Sequence, residues 1–428
     1  MKGYLTLYIS LSLSCLLTFV LVLIGGAYKG AARMKIECAA DASCQSVLAE
    51  YSRQLQKQYD LFYIDLSYLN QAPSLEALEG RMKWYLMQNC SEYTLEGVQF
   101  EEYAVASDDG GQNMESQAVS YMKEMDREAL DGDLDAMLSR VISLEQRDTQ
   151  GEWSALQEQI AVIPLPVIRN KKGQLEEVAL NNPADAVYAL LGSDVLYLAG
   201  LSGDQLGNGQ EMPEPVLSKR TRNQGKKGIY QKEIQSEQNL FLTYLFDKLS
   251  FYRHEKEGTY LGYEIEYAIY GKRNDKDNLE AVAKHILKWR FAENAETILG
   301  DASQTADALA LADTLQAVML KPEFRQPVAK SILYAWAYQE SLKDLQIIFQ
   351  GGAVGGLNYR QYLALLLRMS DREQRNLRVL DVMEINIQTT TGNPFFAMDW
   401  CVESYRSRIS IRDSFGKNYV VNRTYGYY

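Results

Sequence analysis

The chain has 428 residues, with 44 Lys and Arg against 56 Asp and Glu and only two His. A formal net charge of −12 argues against a nucleic-acid-binding protein, which would carry a basic footprint. A hydrophobic content of 46% excludes a chain disordered by composition, and at roughly 150 residues per domain the length predicts two or three folded units.

The first predicted element is a membrane segment. Tyr4 to Ala27 holds 24 uncharged residues, mostly Leu, Ile, Val, Phe and hydroxyls. As a helix this is about 36 Å long, at about 1.5 Å per residue. That exceeds the roughly 30 Å hydrocarbon core, so the helix spans with some tilt. No later stretch is comparable, so a single-span protein is expected. Gly25-Gly26-Ala27 offers small residues to a signal peptidase. The apolar run, however, is longer than a signal h-region of about 7–15 residues, which favours a retained anchor. Lys29, Arg33 and Lys35 follow the span and only Lys2 precedes it, so a positive-inside count alone puts the large domain in the cytoplasm. Thr6, Ser10, Ser14 and Thr18 recur every fourth residue, on one helix face, where hydroxyls suit packing against a partner membrane helix.

Beyond the span, the alanines at 31, 32, 39, 40 and 42 favour helix. Cys44, Leu48, Tyr51, Leu55, Gln58 and Phe62 follow a 4-3-4-3-4 spacing, a mostly apolar seam. One nearly continuous helix from Tyr4 to Tyr59 is predicted. Its outer half is expected to lay the seam on the globular part or a neighbouring subunit and to lift the domain off the membrane. A strand over 61–68, a helix over 75–90, a strand over 93–106 and a turn at Asp108–Gly111 follow. Helices are predicted over 114–129 and 134–161, ended by Pro164 and Pro166, and Pro183 opens a short helix to Leu191.

Residues 201–228 are rich in Gly, Asn, Gln, Pro and charge and read as an exposed loop or linker. Within it Lys219, Arg220, Arg222, Lys226 and Lys227 form a basic stretch, suited to an acidic partner, anionic lipid or wall polymer, or simply a solvated loop. Helices are predicted over 235–252, 279–295, 302–319, 327–349, 359–369 and 371–387. Leu261–Tyr270 alternates like a strand, and a hairpin turns at Gly416. The fold class expected is α+β, mainly helical. Its domains would be a transmembrane and stalk helix (1–60), a first α+β domain (61–200), the loop (201–228) and a second helical domain (229–428).

No catalytic constellation stands out. Phosphate-binding and nucleophile-elbow motifs are missing from the sequence, and Gly351–Gly356 reads as a helix stop. Asp131-Gly-Asp-Leu-Asp135 lacks the glycine and closing glutamate of a calcium loop, so Asp131 or Asp133 reads as a helix cap. His254 and His285 lie in no metal or nucleophile motif. Glu264 and Glu266 could form an acid–base pair, but alternation explains them as the wet face of a strand. Five cysteines contain no Cys-x-x-Cys pair, and one bridge among Cys38, Cys44, Cys90 and Cys401 is compatible with an oxidising compartment. No enzyme, cofactor or metal is expected.

Lys2-Gly3-Tyr4, the hydroxyl-rich span, Glu37-Cys-Ala-Ala-Asp41 and Val47-Leu-Ala-Glu-Tyr51 resemble the amino-terminal region of pilin-like proteins. More specifically they resemble the TadE/TadG-like pseudopilins of Flp-type (tight adherence) systems. Tyr267–Lys272, Ser331–Ser341 and Asp381–Asn386 resemble an uncharacterised membrane-anchored family found beside such loci in Gram-positive, clostridial bacteria. The resemblance implies a single-pass cell-membrane protein with an exported carboxyl domain. It also implies cleavage after Gly3, before Tyr4, by prepilin peptidase, and helix partners among pilin-like or Tad-apparatus proteins. Tyr8 departs from the pattern, since pilins usually carry Glu at that position. A structural or assembly component of a pilus or secretion apparatus is the expected function. The alternative is an anchored binding or sensor module for a wall polymer or small ligand, with an aromatic-lined pocket in the second half.

Overall fold

The computed structural model describes residues 2–68, 71–125, 134–226 and 237–427. Lys227, Asp131 and Asp133 fall outside them. The fold is α+β and mainly helical, with small antiparallel sheets. It divides into two compact units, neither contiguous in sequence. Unit 1 comprises Met1–Asp126, Pro215–Glu237 and Val379–Tyr428; unit 2 comprises Arg127–Glu214 and Gln238–Arg378. The expected boundaries near 60, 200 and 228 are not those of the units, and residues 61–200 are shared between both.

Unit 1 opens with α1 (Lys2–Leu48), α2 (Arg53–Tyr59), β1 (Ile64–Asp65), α3 (Leu75–Asn89), β2 (Thr94–Val105) and α4 (Asp108–Glu124). The single helix expected to Tyr59 breaks after Leu48. There the Ser52 N–H donates to the Tyr63 carbonyl at 2.8 Å, and its hydroxyl caps α2 by accepting the Leu55 N–H. The expected turn at Asp108 is present as left-handed backbone at Asp109, Gly110 and Gly111, at the head of α4.

In unit 2, α5 (Leu134–Glu145) and α6 (Thr149–Val162) replace one expected helix. Asp148 separates them by accepting the Gly151 N–H at 2.9 Å as an N-cap. Then come β3 (Val167–Arg169), β4 (Leu175–Glu177), α7 (Ala184–Tyr188), α8 (Val195–Leu198), α9 (Gln238–Lys248) and α10 (Glu264–Tyr270). They are followed by α11 (Asp275–Gly300), α12 (Ala302–Asp313), α13 (Gln316–Leu320), α14 (Arg325–Phe349), β5 (Ala353–Val354), β6 (Leu357–Asn358) and α15 (Tyr359–Met369). The long helices α11 and α14 pack on each other and carry the core, with Trp153, Phe291, Tyr334 and Tyr338 in ring contact. Arg290 is buried here and donates to Asp344 through Nε at 2.9 Å and Nη2 at 2.8 Å.

The strand expected at 261–270 is instead α10. Asp275 gathers the N–H groups of Gly262 (2.9 Å) and Tyr263 (3.0 Å), which holds the chain just before the helix. Gly271 ends it in left-handed backbone. Every residue from Glu264 to Ile269 is buried, so the apolar–polar alternation does not mark a wet face.

α16 (Arg372–Thr391) leads from unit 2 back to unit 1, where β7 (Cys401–Arg412) and β8 (Asn418–Gly426) form the expected hairpin. Central β7 pairs antiparallel with β2 on one side and with β1 and β8 on the other. Against this sheet lie α3 and the second half of α1. The buried face of α1 is Ala32, Ile36, Ala39, Ala40, Cys44 and Val47. This corrects the seam: Cys44 keeps its place, Leu48 and Tyr51 are only half-buried, Leu55 is buried in α2, and Phe62 lies outside any helix. Small residues on the face let the helix approach the sheet closely. The outer part of α1 is therefore a core helix of unit 1 and not a stalk that lifts it.

Candidate functional site

The feature that most constrains function is α1. Between Tyr4 and Ile24 its large side chains are all exposed, and the window is apolar enough to cross a membrane. Of the four hydroxyls, Ser10 donates to the Leu7 carbonyl at 3.0 Å and Thr18 to those of Ser14 (3.0 Å) and Cys15 (2.8 Å). Those bonds satisfy donors within the helix and leave the hydroxyl oxygens as outward acceptors. Gly3 and Tyr4 lie within the first turns of the same helix.

The basic stretch is not a loose loop. Arg220 forms a fork on Glu384, with contacts at 2.6 and 2.9 Å, and reaches Asp399 at 2.6 Å. Asn223 donates its N–H to Asp399 at 2.8 Å, the Gly225 N–H donates to Asp108, and the Lys226 carbonyl accepts the Tyr103 N–H. Burial pushes the Glu384 carboxyl up, and Arg220 acts against that shift. Beside this clamp a cup of about 380 Å³ is lined by Arg220, Arg222, Asn223, Phe395, Phe396 and Trp400. Lys219 and Lys226 remain exposed. No local sequence signal announces Glu384 or Asp399, which lie more than 160 residues away from Arg220.

Unit 2 has a cleft of about 400 Å³ whose walls include Thr149, Ser193, Leu287, Lys288, Phe291 and Tyr338. Its cations are matched: Arg147 to Glu296 at 2.9 Å, Lys284 to Glu280 and Lys288 to Glu145. Glu145 is the hub that sequence reasoning missed. It accepts hydrogen bonds from Lys288 (2.6 Å) and the Trp289 indole (2.6 Å) and meets His285 Nε2 at 2.9 Å. Tyr270 holds His285 Nδ1 at 2.8 Å, so this histidine is a fully partnered structural group. Its burial pushes the imidazole pKa down. His254 sits exposed in a tight turn bridged to Phe251.

Glu264 and Glu266 are both fully buried. Glu264 accepts the Ser250 N–H at 2.8 Å; Glu266 accepts the Tyr252 N–H at 2.9 Å and the Tyr359 hydroxyl at 2.7 Å. Loss of water pushes the Glu266 carboxyl up to about 7. Both acids thus brace the loop before α10 and do not face an open site. All five cysteines are free thiols; Cys15 and Cys38 are exposed, the others buried. No grouping of metal-binding side chains occurs among the described residues.

Together these features define a mainly helical α+β protein with one apolar helix, of the length found in both membrane anchors and signal sequences. Residues 173–355 and 353–413 match a family of unknown function, DUF5702, and cover more than half of the chain. The chain belongs to that family. No curated protein and no solved structure matches it.

Proposed function

We propose that the protein is a single-span cell-surface component, pseudopilin-like, of a Flp/Tad-type pilus or secretion apparatus, with a structural or assembly role and an extracytoplasmic carboxyl region. The observation that supports this is the double use of α1. One unbroken helix offers an exposed apolar rod over Tyr4–Ala27 and then a buried face over Ala32–Val47 inside unit 1. Contacts that fix the rod in the bilayer therefore fix unit 1 directly, with no flexible joint between them. Such coupling suits a component that transmits position from membrane helices to a surface domain. Thr6, Ser10, Ser14 and Thr18 span about a third of the helix circumference, at about 100° per residue, and form the contact face for another pilin-like helix.

The test replaces all four hydroxyl residues with leucine. The expected outcome is unchanged membrane retention with loss of the copurifying apparatus proteins; unchanged recovery and piliation sink the proposal. Orientation is read at Cys38, the one exposed cysteine beyond the span. A membrane-impermeant maleimide should label intact cells at this site and fail on Cys38→Ser. Labelling only after lysis would place the domain inside and end the surface reading. A second reading, an anchored binding module, is favoured by the cleft walled by Phe291 and Tyr338. It requires that wall polymer or its fragments bind the full protein and that Tyr338→Ala abolish that binding.

A further inference from the structure

Unit 1 has a second feature at the level where the span ends. The β7–β8 turn, Asp413–Lys417, is closed by its own hydrogen bonds. Asp413 Oδ1 accepts the N–H groups of Phe415 and Lys417, each at 2.9 Å, and Oδ2 accepts the Tyr419 hydroxyl at 3.2 Å. The Asp413 N–H donates to the Lys417 carbonyl at 2.9 Å, and Gly416 takes the left-handed backbone that closes the turn. This frame holds the Phe415 ring outward, 77% exposed.

The ring is not an isolated surface hydrophobe. It meets Tyr28 edge-to-face, centroids 4.8 Å apart, and the Tyr28 hydroxyl lies 3.2 Å from the Ser414 hydroxyl. Tyr28 directly follows the apolar run. The exposed apolar surface of α1 therefore continues onto the hairpin tip. Lys29 and Lys417 flank the pair. An aromatic pair with adjacent lysines is the composition of the membrane–water interface, where amphipathic rings sit among headgroups and nearby cations are drawn to anionic lipid.

We propose that the β7–β8 turn is a second membrane contact, with Phe415 seated in the headgroup region of the bilayer that Tyr4–Ala27 crosses. The proposal rests on the membrane reading of that segment. Its physical consequence is orientation. A lone helix leaves unit 1 free to rotate about the helix axis and to tilt; a contact offset from the axis removes both freedoms and makes unit 1 lean on the membrane.

The experiment uses the full chain reconstituted in phosphatidylcholine–phosphatidylglycerol vesicles. Flotation reports the span, and fluorescence quenching by lipid brominated at shallow acyl positions reports the tip. Phe415→Trp adds one indole to the native five, and Thr424→Trp, exposed far up β8, is the control. The expected result is that the fluorescence added at 415 is mostly quenched and that added at 424 is not. Flotation without extra quenching at 415 overturns the tip contact and leaves the anchor standing. Quenching at 415 that disappears when purified apparatus proteins are added would assign the tip to a protein neighbour and overturn the lipid assignment. Failure to float would overturn the anchor and the tip together.

Discussion

The two halves of α1 share one backbone conformation and differ in everything outside it. Over Tyr4–Ala27 the helix is mostly apolar, its large side chains are exposed, and the hydroxyls of Ser10 and Thr18 bond to carbonyls of the helix itself. Over Ala32–Val47 it is two-faced, with small and branched residues against the sheet and Arg33, Lys35 and Glu37 outward. A uniform apolar surface asks for a uniform apolar solvent; a stripe asks for one partner. The ion pair between Arg423 and Asp41 and the Tyr405 hydroxyl bond to the Cys44 carbonyl (2.9 Å) tie only the second half to the sheet.

That contrast can be broken at either end. The largest effect is expected from Leu13→Arg combined with Leu17→Arg. Two central arginines cost on the order of 6 kcal/mol of insertion, so the protein should leave the carbonate-resistant membrane fraction while unit 1 keeps its circular dichroism. Next comes Ile36→Ala, at a fully buried position. A loss of about 2–5 kcal/mol in denaturant unfolding of unit 1 is expected, with membrane retention unchanged. If instead retention falls and stability does not, the division of labour along α1 is wrong.

α10 sharpens the comparison, because its buried face carries carboxylates where α1 carries alanine. The Glu266 carboxyl, raised in the folded state to about 7, binds its proton more tightly folded than unfolded. Its contribution is therefore present below the ordinary glutamate pKa and lost as pH rises through about 7. The expected cost between pH 5 and 8 is on the order of 2–3 kcal/mol, at about 1.4 kcal/mol per unit. Glu266→Gln should flatten the melting temperature of unit 2 across that interval. A variant as pH-dependent as the parent would place the titration elsewhere.

Length and periodicity made much of the fold legible. The long apolar helix at the amino terminus, α3, β2, α15 and the final hairpin follow from local pattern. What escaped was set by residues distant in sequence. The break after Leu48 depends on the Tyr63 carbonyl, and the helix at 264–270 depends on Asp275 and on loop N–H groups at 250 and 252. Bare carboxylates are costly to bury without donors, so the sequence alone favours an exposed Glu264 and Glu266. The donors were backbone groups that no side-chain pattern advertises. The basic stretch is a loop, but an anchored one, for the same reason: Glu384 and Asp399 clamp Arg220 from beyond the second segment of unit 2. The cup and the cleft have no motif at all; the hydroxyl face and the basic residues were visible as residues but not as contacts.

Central β7 has a consequence for how the molecule is made. The strand that completes the sheet beneath α1, at Cys401–Arg412, is synthesised long after α1 ends at Leu48, with all of unit 2 between them. Until residues 401–426 arrive, Ile36, Cys44 and Val47 have no sheet to cover them, while unit 2 already possesses all of its own chain. Unit 2 can therefore fold first, and unit 1 is sealed last, by its most distant segment. A chain that stops early leaves the apolar stripe of α1 without its sheet, which exposes it to proteolysis.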